Sequence, residues 1–128
     1  MKRHAAREKA FQLLFQIDMN EIVPKEAIEE FLEAEGADPF LRSLVEGVVT
    51  NKENIDKTIS DNLENWTIQR IASVEKTVIR IAVYEINYLE DIPTSVSINE
   101  AIELANKYGD VKSGKFVNGV LSKIISAS

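Results

Sequence analysis

Apolar positions recur along this chain at the three- and four-residue spacing of amphipathic helices, and no stretch alternates as a strand would. The densest run, Ser73–Leu89 (SVEKTVIRIAVYEINYL), contains no Gly and no Pro. On a wheel of 3.6 residues per turn, Val74, Val78, Ile79, Ile81, Ala82, Val83, Ile86, Tyr88 and Leu89 cover most of the circumference. Lys76, Arg80 and Asn87 share one narrow polar stripe. A helix apolar almost all round is a buried central helix, and this one is too short and too charged to span a bilayer. Ser73 is the expected N-cap, with Glu75 in the first turn where the helix dipole favours an anion. Glu85 falls on an apolar face between Val74, Val78 and Leu89, so the pattern buries a carboxylate, which must be paired or hydrogen-bonded. The expected partners are backbone N–H groups at the start of a neighbouring helix. The alternative, a general acid or base, needs a partner in a cleft that the sequence does not supply.

The other elements follow from the same spacing. Arg3 to about Met19 reads as a helix with Ala6, Ala10, Leu13, Leu14 and Ile17 on its core face. Phe11 and Phe15 lie one turn apart on an adjacent face, in line with His4 and Arg7. That edge is either a stacking and phosphate-contacting surface or a core aromatic pair beside a solvated charged face. Pro24 opens a second helix that ends before Gly36, with Ala27, Ile28, Phe31 and Leu32 inward and Glu26, Glu29, Glu30, Glu33 and Glu35 solvated. Asp38-Pro39 starts a third, carrying Phe40, Leu41, Leu44, Val45, Val48 and Val49. Thr50-x-x-Glu53 reads as a capping box opening a fourth helix through Ile55, Ile59 and Leu63 to about Asn65. Trp66 and Ile68 to Ala72 form a short apolar link into the central helix. Beyond the break at Asp91-Ile92-Pro93, a second box, Ser97-x-x-Glu100, opens a helix over Ile98–Tyr108 stopped by Gly109. Ile102 and Ala105 should face the core there, flanked by Leu104. Ser113 is the expected cap of a last helix to about Ile125, with Phe116, Val117, Val120, Leu121 and Ile124 apolar. Gly119 inside that helix costs roughly 1 kcal/mol relative to Ala and is expected to permit close packing against another helix. No internal repeat is visible.

Composition narrows the class. The 128 residues, 45% hydrophobic and 28% charged, make one domain with a real core, residues 1–128. Met1 to Ala10 is charged and no apolar stretch of a signal peptide follows, which points to a cytoplasmic protein. With no Cys, disulfides, thiolate catalysis and Cys-based zinc sites are excluded together. His4 is the sole histidine, which argues against a catalytic triad and a His-metal cluster. Gly109-Asp-Val-Lys-Ser-Gly114-Lys115-Phe116 imitates a phosphate loop, but Phe stands where Ser or Thr must hold magnesium and a helix precedes it in place of a strand. No catalytic residue, cofactor or metal is therefore expected.

The net charge of −6 is unevenly spread. Lys2, Arg3, Arg7 and Lys9 against Glu8 leave +3 on residues 1–10, and Lys107, Lys112, Lys115 and Lys123 against Asp110 leave +3 on residues 106–123, so residues 11–105 hold −12. If the first helix and the helix from Gly114 lay side by side, the basic ends would form one positive patch on an acidic body.

Several runs resemble the NusB family of bacterial transcription antitermination factors. They are Ala6-Arg7-Glu8-Lys9-Ala10-Phe11-Gln12-Leu13-Leu14-Phe15-Gln16; Val74-Glu75-Lys76 with Ile79-Arg80-Ile81-Ala82-Val83-Tyr84-Glu85; Ile98-Asn99-Glu100-Ala101-Ile102-Glu103-Leu104-Ala105; and Lys115-Phe116-Val117-Asn118-Gly119-Val120-Leu121. They span nearly the whole chain in order. The last three also occur in a NusB-like domain attached to some ribosomal RNA cytosine methyltransferases, but this chain lacks that enzyme's Gly-rich strand-to-helix turn and its Cys nucleophile. The resemblance implies an all-α fold of about seven helices in two packed subdomains, without a β-sheet. It implies binding of the boxA element of nascent ribosomal RNA leaders, jointly with NusE, a ribosomal small-subunit protein, within the RNA polymerase antitermination complex.

The family's arginine-rich segment falls on Lys2, Arg3, His4 and Arg7, with His4 where a further Arg is usual, which implies modest and more pH-dependent RNA affinity. Lys112 and Lys115 would add phosphate contacts. Phe116 is placed to stack a base, and Asn118 either bonds a base edge or is a buried structural amide. The NusE-facing surface would include Phe15 and Glu75. The alternative to RNA binding is a helical protein-interaction scaffold, such as a homodimer.

Overall fold

A computed structural model of the chain describes residues 1–127. Its helices are α1 (Arg3–Asn20), α2 (Pro24–Glu35), α3 (Pro39–Thr50), α4 (Lys52–Asp61), α5 (Ser73–Tyr88), α6 (Thr94–Tyr108) and α7 (Val111–Ala127), with a 3-10 turn at Ile68–Arg70. No strand occurs among the described residues, and no helix there is long and apolar enough to cross a membrane. The expected all-helical class stands.

The all-apolar wheel of α5 has the predicted consequence. Every residue from Thr77 to Glu85 is buried, because α1, α3, α4, α6 and α7 all pack against α5. Leu41, Leu44 and Val45 of α3, Ile55 and Ile59 of α4, Ile79 and Val83 of α5 and Val117 and Leu121 of α7 are fully shielded.

Local signals set many boundaries. Pro24 opens α2, and Gly36 at φ 88° ends it. Asp38 caps α3 by accepting the Leu41 backbone N–H at 3.0 Å, and Gly109 closes α6 by donating to the Ala105 carbonyl at 2.8 Å. Where helices cross closely, glycine makes room for a neighbouring side chain. A Cβ on Gly47 would lie 2.1 Å from the Tyr84 ring, and one on Gly114 would lie 2.0 Å from Asn106 Oδ1.

Several expected caps are corrected. Ser73 is the first helical residue of α5 and Ala72 is its cap. Thr50 ends α3, and Asn51 joins α3 to α4, its side-chain amide donating to the Gly47 carbonyl at 2.8 Å. Helix α4 stops at Asp61, short of Asn65. Pro93 starts α6 early because its carbonyl accepts the N–H groups of Val96 and Ser97. Ser97 and Glu100 therefore lie inside the helix and point at other helices. Asp110, not Ser113, heads α7: its carboxylate accepts the Ser113 N–H at 2.9 Å, and Ser113 Oγ accepts the Asp110 N–H at 3.3 Å. In α6 the buried apolar positions are Ala101, Leu104 and Ala105, with Ile102 half-buried. Gly119 is not at a close crossing, since a Cβ there would meet nothing within 4 Å.

Candidate nucleic-acid and partner interface

Helices α1 and α6 run parallel, pairing His4 with Glu100, Glu8 with Lys107 and Gln12 with Tyr108. Helix α7 packs extensively on α6 and not on α1. The expected adjacency of α1 and the Gly114 helix is thus overturned. Lys2, Arg3 and His4 gather near the start of α6, and Lys112 and Lys115 follow its end. The two basic groups stand at opposite ends of one helix that rises about 22 Å.

At the first end, Lys2 is exposed and makes no ion pair among the described residues. Arg3 is exposed, donates to Asp91 at 3.2 Å and lies 4.7 Å over the Phe40 ring. His4 faces Glu100 through Nδ1 at 3.1 Å and Glu103 through Nε2 at 3.7 Å. The hydrogen bond and charge of Glu100, helped by Glu103, raise the His4 pKa above 6.5. His4, Glu100 and Glu103 could together ligate a cation. Arg7, however, already places a positive charge on Glu100 at 3.0 Å.

Arg7 is not on an exposed edge. It is 4% exposed, and its Nε and Nη2 both donate at 2.8 Å to Glu85, itself 1% exposed. Glu85 is buried, as its wheel position predicted. Its partners are Arg7 and the Ser97 hydroxyl at 2.8 Å rather than backbone N–H groups. Burial works against the charge on Arg7, but the hydrogen bonds and charges of Glu85 and Glu100 outweigh it and raise its pKa. A guanidinium so enclosed is removed from the set of free phosphate contacts.

At the second end, Lys112 and Lys115 are exposed and form no ion pair among the described residues. Asn118 is also exposed, which overturns its reading as a buried amide, and its Oδ1 accepts from Ser122 Oγ at 3.3 Å. Phe116 is half-buried against the ring of Trp66, centroids 6.1 Å apart.

Near this end lies an apolar groove of about 290 Å³, lined by Phe11, Gln12, Phe15, Gln16, Val74 and Tyr108. The core reading of the aromatic pair holds for Phe11 alone. Phe11 is core, stacked on Phe15 at 5.6 Å and tilted by 36° against Tyr108 at 4.7 Å, while Phe15 is half-exposed. Glu75, in the first turn of α5, is half-buried and does not line this groove. Tyr108 was missed by sequence reasoning. Its hydroxyl donates to Glu8 at 2.7 Å, and burial together with that carboxylate raises its pKa. Trp66, taken as part of an apolar link, is 52% exposed. Neither carried a periodic signal, since each sits where a helix ends or a connection begins.

Exposed basic side chains at both ends of α6, with an aromatic groove beside one of them, define a helical protein that binds other macromolecules. The chain belongs to the NusB family, whose model matches residues 4–126. It is 64% identical over 126 residues to the transcription antitermination protein NusB of Oceanobacillus iheyensis, covering 98% of this chain and 100% of the relative. The Bacillus subtilis protein of the same name is 55% identical over 126 residues, 98% of this chain and 96% of that one. Among solved structures, T. maritima NusB matches with a TM-score of 0.89 at 38% identity, covering 98% of this chain and 92% of that chain. A crystal structure of the antitermination factors NusB and NusE in complex with dsRNA matches with a TM-score of 0.86 at 32% identity, covering 100% of both chains.

Proposed function

We propose that this protein is a transcription antitermination factor that binds the boxA element of a ribosomal RNA leader as a single strand, jointly with NusE, in the cytoplasmic RNA polymerase antitermination complex. The observation that carries the reading is the pair of exposed basic clusters at the two ends of α6, on a body of net charge −6. Lysines and Arg3 there supply phosphate contacts, while the acidic remainder disfavours indiscriminate nucleic-acid binding. At one phosphate per roughly 3.4 Å of stacked strand, about six nucleotides cross the length of α6. Phe116 and Asn118 supply a ring and an amide for unstacked bases at the second end. Phe15 and Glu75 offer NusE an apolar contact and a negative charge suited to a basic ribosomal protein. The role needs no catalytic group.

The test measures RNA binding with and without NusE, against single-stranded boxA RNA and its duplex. Arg3→Ala and Lys115→Ala should each weaken single-strand binding and flatten its salt dependence by about 0.7 of a slope unit, one lost phosphate contact. Glu75→Lys should spare RNA contacts and weaken NusE association through like-charge repulsion. If the cation variants leave RNA binding untouched and Glu75→Lys leaves NusE binding untouched, a protein-interaction scaffold replaces this reading.

A further inference from the structure

Gly119 has no packing reason to be glycine, yet it sits mid-helix where glycine is disfavoured. It is exposed and lines a groove of about 250 Å³ with Leu63, Trp66, Phe116, Lys115 and Lys123. Trp66 is 52% exposed, and its ring meets Phe116 edge-on at an interplanar angle of 64°. An indole braced by a second ring, facing helix backbone bare of any Cβ, is a slot for a flat group. The charge beside it favours a phosphate-bearing occupant. Lys115 is unpaired, and the one carboxylate lining the groove, Glu64, is neutralised by Lys123 at 2.5 Å. The slot is also continuous with the cationic end of α6 formed by Lys112 and Lys115.

We propose that this groove holds one nucleobase of the bound RNA, stacked on Trp66 above the α7 backbone at Gly119, with Lys115 against a neighbouring phosphate. The proposal rests on the RNA-binding reading above and adds a stacking site to it. Aromatic stacking of this kind tolerates any base, because every base has a π-face. It therefore adds affinity without adding a sequence requirement.

Trp66 is the chain's one tryptophan, so its fluorescence reports on the groove alone. The probe is a labelled single-stranded RNA carrying boxA, titrated with NusE present, following RNA anisotropy and tryptophan emission separately. For emission, NusE's own signal is subtracted. Saturable quenching that tracks the anisotropy is expected. Trp66→Ala should bind about tenfold more weakly, and Trp66→Phe, which keeps a ring, should bind nearly as well as wild type. Gly119→Ala should raise Tm while weakening RNA binding, since the methyl group aids the helix and obstructs the slot. Should Trp66→Ala fail to fold, quenching and Gly119→Ala decide the matter. RNA binding by anisotropy with silent Trp66 and unaffected variants overturns the stacking site and leaves the RNA reading intact. Absence of any RNA binding overturns both. Quenching by NusE alone assigns the groove to a protein contact and overturns the proposal.

Discussion

Arg7 and Glu85 lie 78 positions apart in sequence and meet where neither charge could be buried alone. Removing one partner leaves the other desolvated, so Glu85→Ala or Arg7→Ala should each cost about 3–5 kcal/mol in urea unfolding. The double variant should cost less than the sum. The burial of Glu85 was legible because a wheel position depends on one helix. Its partner was not, because Arg7 comes from another helix and its own wheel position is equally compatible with solvent.

His4 lies at the outer end of the same network, and its titration has a definite sign. Glu100 and Glu103 raise its pKa in the folded protein above 6.5. The stability that this contact adds is fully present below the unfolded pKa and is lost as pH rises through the folded one. His4→Ala should therefore lower Tm at about pH 6 and have little effect at about pH 9. An NMR titration should place the wild-type imidazole above its ordinary pKa and return it toward that value in Glu100→Gln.

Among elements, the crossing of α3 and α5 is set by a missing side chain. The Tyr84 ring fills the place of a Cβ at Gly47, stacks on Tyr88 at 5.4 Å and shares a hydrogen bond with Ser43 at 3.0 Å. Gly47→Ala should thus destabilise by about 1–3 kcal/mol despite alanine's higher helix propensity, as a thermal melt would show. Boundaries marked by Pro24, Gly36, Asp38-Pro39 and Gly109 were legible because those residues act on their own backbone. The Ser97-x-x-Glu100 pattern misled for the converse reason. Ser97 and Glu100 have the chemistry of a capping box, but their groups are used across helices, on Glu85 and on Arg7 and His4. Spacing alone does not distinguish a local partner from a distant one.

For the whole molecule, charge arithmetic located two basic segments correctly but not their relation, since α6 stands between α1 and α7. Their separation makes them independent. The losses from Arg3→Ala and Lys115→Ala should add to within about 0.5 kcal/mol in the double variant, measured as RNA affinity.

An unbroken α6 of 15 residues also acts as a gauge. A helix neither stretches nor shortens appreciably, so a ligand gripped at both ends must match a fixed interval. RNA with one nucleotide deleted between its anchoring phosphates must unstack and stretch to reach both ends, whereas RNA with one inserted could loop the surplus into solvent and keep both. Deletion should then weaken binding far more than insertion at the same place, and the nucleotide at which that asymmetry vanishes marks where the grip of the protein ends.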